Sequence, residues 1–414
     1  MNDFFDFLAK SPTAWHAAQE IGSRLTKAGF LPLSEKEIWK IEPGKAYFVE
    51  REGTLLCAFR VPQKSPTGAV ILASHIDSPA LKIKPQPDST NRNIAQISTE
   101  VYGGPLLHSW FDRDLAIAGK IETDKGPQLV YLNECPLIIP QLAIHLDRSI
   151  HEKGILVHKQ DHLKAILSIT EAETLETLLK KKFSFNTLYA FDLYLVPIEK
   201  ASLAGTGQDL IAGYRIDNLS SAYASLDAML HTKVQSDRIQ CAIFWDHEEI
   251  GSMSSTGADS LFVDQVLERI GLGLGQSRED FHRLKSNSII LSADVAHAWN
   301  PNFADKYDPQ NSPLIGQGVI LKFNAGRKYA SDATSVAALC KIAEKHKIPL
   351  QRAANRSDIP SGSTVGPIMS ANTGIPTIDL GVGCWAMHST REIIATSDQQ
   401  DLSRLLKAAL NEWS

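Results

Sequence analysis

Five places in the chain set metal-ligating side chains at the edge of an inferred strand or helix. Ala73-Ser74-His75-Ile76-Asp77 ends one apolar run, and Asp246-His247-Glu248-Glu249 follows another. Asp294 closes a third run, Asp217 stands just before a helical stretch, and His388 lies near the C-terminus. Histidines and carboxylates without cysteine form a nitrogen and oxygen ligand set suited to Zn²⁺, Mn²⁺ or Co²⁺. The neighbours Glu248 and Glu249 can divide labour: one holds metal while the other takes a proton from a water that a metal has acidified. Each residue alone has an ordinary reading: Asp217 as a helix N-cap, Glu-Glu as a solvated pair, a histidine as a polar strand end. Together they fall at strand ends and helix starts of one inferred sheet, where ligands gather in open α/β folds.

The elements that must position them follow from apolar patterning. Gly68–Ala73 is apolar throughout, as expected of a strand covered on both faces. Gln240–Trp245, Ser288–Ala293 and Pro376–Leu380 read as further strands. Asn218–His231, Ala330–Lys345 and Ser397–Trp413 read as helices, and a helix over 11–29 would start with Ser11 as cap and Pro12 in its first turn. This alternation predicts an α/β domain with a mostly parallel sheet flanked by helices. Residues 88–210 differ, with short β-type runs broken by Gly103-Gly104-Pro105, Asp124-Lys125-Gly126 and Gly205-Thr206-Gly207. The expected organisation is a discontinuous α/β domain, 1–87 and 211–414, with a β-rich insertion over 88–210.

Composition limits the function classes. The chain has 414 residues, 43% hydrophobic and 21% charged, as in an ordinary globular protein, which excludes a disordered chain, a coiled coil or a collagen. A net charge of −5 gives no broad attraction to nucleic acid. Five dispersed cysteines make no CxxC pair and suggest no disulfide framework, so a reducing, cytoplasmic setting is expected. The start, MNDFFDFLAKSPTAW, has no long apolar core of a secretory signal, and no apolar stretch is long enough to span a membrane.

The chain resembles the M18 family of metallo-aminopeptidases, the aspartyl aminopeptidases. The likeness rests on Ser11-Pro12-Thr13, on Ser74 through Pro79, and on Tyr102-Gly103-Gly104-Pro105. It continues through Trp110–Leu115, Arg215–Leu219 and Asp246–Ser252, then Tyr329-Ala330-Ser331, Gly362–Pro367 and Met387-His388-Ser389. The resemblance implies two zinc ions per subunit, with Co²⁺ or Mn²⁺ as substitutes. His75 and Asp294 would hold one ion, Glu249 and His388 the other, and Asp217 would bridge them. Glu248 would be the general base on the bridging water, and Asp77 would fix the His75 ring through its far nitrogen.

The family further implies that the insertion is a dimerisation domain and that subunits form a tetrahedral dodecamer. His145, in Leu142-Ala143-Ile144-His145-Leu146, would reach into a neighbouring subunit's active site. Lys322 would bind the acidic side chain of peptide substrates carrying N-terminal Asp or Glu, with Arg356 and Arg327-Lys328 as weaker candidates. His297 and the remaining histidines are read as structural or solvent-facing. A broader aminopeptidase or a deacylase on the same metal core is the alternative enzyme. A self-assembling scaffold without activity is the alternative class, and its broken ligand set is absent from the sequence. No GxGxxG, GxxxxGK[ST] or GxSxG pattern supports nucleotide binding or a serine hydrolase.

Overall fold

The computed structural model describes residues 1–169, 173–233 and 237–413. Its centre is a nine-stranded mixed sheet in the order Leu31–Leu33, Ala46–Arg51, Leu55–Arg60, Arg238–Trp245, Gly68–His75, Ile289–Ala293, Thr377–Gly381, Val319–Lys322 and Leu350–Ala353. The four strands from Arg238–Trp245 to Thr377–Gly381 run parallel. The apolar run expected at Gly68–Ala73 extends to His75, and all eight residues are buried. Alternate side chains explain this, since successive strand residues point to opposite faces. Val70 and Leu72 join a core built with the helices Asn2–Lys10, Ala14–Lys27, Ile216–His231, Ala333–Lys345 and Thr396–Glu412. Ala69, Ile71 and Ala73 join a second core under Phe262–Gly273, Arg278–Ser286 and Val365–Thr373.

The N-terminal helix Asn2–Lys10 was not foreseen from the sequence. It buries Phe4, Phe7 and Leu8, one face at three- and four-residue spacing. The next helix begins at Ala14 rather than Ser11, because Thr13 takes the N-cap position. The Thr13 hydroxyl meets Nδ1 of His16 at 2.8 Å instead of capping the backbone.

The β-rich segment is a six-stranded antiparallel sheet built from strands between Ala80 and Pro197. The boundary expected at 88 falls inside its first strand, Ala80–Asn91, so this sheet begins within five residues of His75. Its own core includes Trp110, Ile117, Ile121, Val130 and Leu195. A five-stranded sheet includes Leu210–Gly213, Glu392–Ala395, Gly383–Trp385 and Ala296–His297. Among the described residues no helix is long and apolar enough to cross a membrane.

Candidate metal centre

Parallel register brings the first ligands together. Trp245 pairs with His75, and Ser292 with Ala73, so His75, the Glu248-Glu249 turn and Asp294 emerge side by side at the carboxyl ends of adjacent strands. Asp294 can sit there because Gly381 has no side chain: a Cβ at Gly381 would stand 1.8 Å from the Asp294 carbonyl oxygen. Asp217 arrives at the start of the helix Ile216–His231, and His388 follows the strand Gly383–Trp385. The peptide between Asp217 and Asn218 is cis.

The side chains form two groups that share one residue. In the first, Nε2 of His75 lies 3.4 Å from Oδ1 of Asp217 and 3.7 Å from Oδ1 of Asp294. In the second, Nε2 of His388 lies 3.2 Å from Oδ2 of Asp217 and 3.5 Å from Oε1 of Glu249. A tetrahedron with zinc bonds of about 2.0–2.1 Å has edges of roughly 3.3 Å, close to these separations. His75, Glu248 and Glu249 also approach one another, with Oε2 of Glu248 at 3.8 Å from Nε2 of His75.

Two buried acceptors, Oδ1 of Asp217 and Oε1 of Glu249, have no hydrogen-bond partner among the described residues. Both oxygens belong to the histidine–carboxylate groups, where a cation would satisfy them. The charge balance agrees: Asp77, Asp217, Glu248, Glu249 and Asp294 crowd a pocket whose nearby basic groups are His75, His388 and Lys322. The donor set therefore fits divalent cations.

Crowding shows in the titration of the groups. Burial pushes Glu248 up to about 8, with Asp294, Asp77 and Asp217 adding to it and His75 opposing. Burial also drives Glu249 well above the usual carboxylate range, and Asp217 reinforces it. For Asp217 burial acts upward too, but the imidazoles of His388 and His75 outweigh it and hold the group below its ordinary value. Burial would lower His388, yet Asp217 and Glu249 raise it to about 10.

Asp77 is not a direct partner of the ligand cluster but organises it from behind. The His75 Nδ1 faces the Asp77 carbonyl at 3.1 Å and its Oδ1 at 3.3 Å. The same carboxylate accepts the N–H of Glu248 at 3.2 Å and of Glu249 at 3.1 Å. Tyr102 completes it, donating its hydroxyl at 2.7 Å. Tyr102 heads the Gly103-Gly104 turn. Gly103 adopts φ +70 and a Cβ there would lie 3.1 Å from that of Glu249, while the Gly104 carbonyl stands 3.0 Å from Nδ1 of His388.

The remaining expected residues separate. Lys322 is buried, donates to the Val295 carbonyl at 2.7 Å and lies 3.6 Å from Oδ2 of Asp294. It lines a cavity of about 210 Å³ together with His297, Lys306, Tyr329 and Arg356. Arg327 is exposed, donates to the Ala330 carbonyl and is not part of that lining. His145 is exposed on a loop of the six-stranded domain and joins none of the ligand groups of its own chain. A larger groove of about 860 Å³ reaches Asp246 and His247 but none of the ligands.

Sequence reasoning missed Glu392 and set aside His297. Glu392 is buried and accepts the N–H of Asp217 at 2.9 Å and of His388 at 2.7 Å. Its position four residues after His388 was the only sequence signal, and a single acid at that spacing says little.

Comparison with known proteins identifies the family. The profile of the family described as aminopeptidase I zinc metalloprotease (M18) matches residues 7–409. A probable M18 family aminopeptidase 2 from Clostridium novyi (strain NT) is 38% identical over 427 residues, spanning 99% of this chain and 98% of the relative. A chain in the cryo-EM structure of the Ape4 and Nbr1 complex superposes with a TM-score of 0.94 at 33% identity, covering 99% of this chain and 84% of that one. The S. cerevisiae mApe1 dodecamer superposes with a TM-score of 0.85 at 26% identity, covering 100% of this chain and 96% of that one. A family profile across nearly the whole chain, over a buried cluster of histidines and carboxylates, leads to one conclusion: the chain belongs to the M18 family of zinc metallo-aminopeptidases.

Proposed function

We propose that the chain is a dinuclear aminopeptidase that removes N-terminal Asp or Glu from peptides. The observation that carries the two-ion reading is Asp217, whose two carboxylate oxygens face His75 and His388 separately. His75 and Asp294 would hold one zinc, Glu249 and His388 the other, with Asp217 between them. Divalent cations in these places would supply Lewis acidity, lowering the pKa of water and neutralising charge on the attacked carbonyl.

The chain's own residues do the rest. Glu248 takes the proton of the attacking water and returns it to the departing amine, as a general base and then acid. Asp77 holds the backbone of both glutamates and the ring of His75, so one carboxylate sets the base and a ligand together. The cavity beside Asp294 would take the substrate's first side chain. Lys306, Lys322 and Arg356 on its wall, against the single acid Asp308, favour an acidic one.

One observation favours a broader aminopeptidase instead: the Lys322 ammonium already has Asp294 and the Val295 carbonyl as partners. Cleavage rates on Asp-, Glu-, Leu- and Lys-p-nitroanilides, with metal content measured on the same preparation, decide between the two. Equal rates on Asp and Leu would remove the acidic reading.

Assembly is part of the proposal. Leu142, Ile144 and Leu146 around His145 are 59%, 42% and 75% exposed, an apolar strip that water disfavours. A homo-oligomer, a dodecamer by analogy with the yeast relative and tetrahedral as the family resemblance implies, would cover it and bring His145 to a neighbour's site.

A further inference from the structure

We infer that Glu392 is the positioning residue that ties the two ligand groups together, holding the backbones of Asp217 and His388 at the spacing that lets both groups share Asp217. The inference rests on the two-ion reading above. Oε2 accepts from the Asp217 N–H at 2.9 Å and Oε1 from the His388 N–H at 2.7 Å. The two N–H groups approach the side chain at different atoms, so each needs an acceptor where it arrives. A carboxylate has both, whereas an amide offers one oxygen and turns a second donor group toward the other N–H.

The setting is unlike that of an ordinary structural acid. Glu392 is 1% exposed, and no ion pair of it is found among the described residues. A buried carboxylate without a cation is costly, and the two N–H groups offset part of that cost. His388 also needs a firm hold. It adopts φ +66, in the left-handed region that non-glycine residues rarely visit. Its N–H is fixed by Glu392 and its carbonyl accepts from Leu106 at 2.9 Å.

The anchoring of Glu392 explains why it registers both ligands. It begins the strand Glu392–Ala395, where it pairs with Gly213 at the end of Leu210–Gly213, the strand that leads into Asp217. His388 reaches it through a tight turn on the other side. One side chain thus fixes two ligands that approach from different directions in the chain.

The test is calorimetric titration of metal-stripped protein with zinc, alongside its thermal midpoint. Wild type should take two zinc ions. Glu392→Gln should weaken the second ion by about 10–100-fold, the usual effect of losing a group that orients ligands. The first ion should weaken less, and the midpoint of the metal-free protein should not fall. Glu392→Asp keeps the charge but shortens the reach, so it should also weaken the second ion; it carries the same test should the Gln variant not fold. Two zinc ions in wild type with unchanged affinities in the variants would overturn the role of Glu392 alone. Loss of zinc in step with a lowered metal-free midpoint would make Glu392 a plain support of the fold. A single zinc in wild type would remove the two-ion reading, and this inference with it.

Discussion

The ammonium of Lys322 lies 3.6 Å from Oδ2 of Asp294, a proposed metal ligand, while it lines the cavity proposed for the substrate side chain. Burial would lower the lysine, yet Asp294 outweighs it and holds the group above its usual value, so it stays charged. It can therefore meet an acidic substrate side chain without giving up its proton. Lys322→Met is expected to lower kcat/KM for N-terminal Asp by about 10- to 150-fold, the worth of one hydrogen bond to a charged group, while sparing Leu. Equal losses on both substrates would mean that Lys322 serves Asp294 and not the substrate.

Glu248 and Glu249 should part in their variants. Glu248→Gln should keep zinc and lose about 10²–10⁴-fold in kcat, the contribution of a general base. Glu249→Gln should lose zinc instead, because its Oε1 lies 3.5 Å from Nε2 of His388. Zinc analysis of both purified variants checks this. The opposite pattern would exchange the two roles, since His75 comes close to both glutamates.

Asp217 is expected to be the most damaging single ligand to change. It faces His75 at 3.4 Å and His388 at 3.2 Å, so Asp217→Asn weakens both groups at once. Chelation should abolish activity in wild type, and zinc, cobalt or manganese should restore it. Zinc content by mass spectrometry should fall further in Asp217→Asn than in His75, Asp294, Glu249 or His388 variants. Full activity in a metal-free preparation would end the metal reading.

Metal-free protein should lose stability as pH rises. Burial lifts Glu248 and Glu392 from an ordinary 4.5 to about 8, and acids around His388 lift it from 6.5 to about 10. All three bind protons more tightly in the folded chain than in the unfolded one. The folded state then holds extra protons across this range, so its stability falls with rising pH. The thermal midpoint of stripped protein should drop between about pH 5.5 and about pH 8.5, and zinc, which displaces those protons, should reverse the trend. A midpoint that climbs without metal over this interval would contradict the assigned shifts.

His145 gives a test across subunits. His145→Ala should lower activity and leave zinc content unchanged. Mixing it with Glu248→Gln under conditions of verified subunit exchange should restore part of the activity, because each variant keeps what the other lacks. No recovery would confine His145 to its own chain or to no catalytic part.

Residue types and local pattern were enough to find much of this centre. Gly68–Ala73, Gln240–Trp245 and Ser288–Ala293 are buried on both faces, so they are mostly apolar, with only Gln240, Ser288 and Ser292 polar, and the histidine or acid that follows each run stands out. A continuous apolar run is a property of the sequence itself. The resemblance then implied roles that spacing alone left open, such as Glu248 rather than Glu249 as the proposed base. What tertiary structure alone decided concerns contacts between distant segments. Glu392 looks like any acid until Leu210–Gly213 pairs with Glu392–Ala395 and sets it against the N–H groups of Asp217 and His388. Tyr102 behind Asp77 and the partnership of Lys322 with Asp294 also join residues far apart in the chain. The helix Asn2–Lys10 was hidden for a related reason: its short apolar face gains its meaning only from the core that Phe4 and Phe7 enter. Sequence periodicity reports which side of an element is buried, but the partner that buries it is fixed by packing.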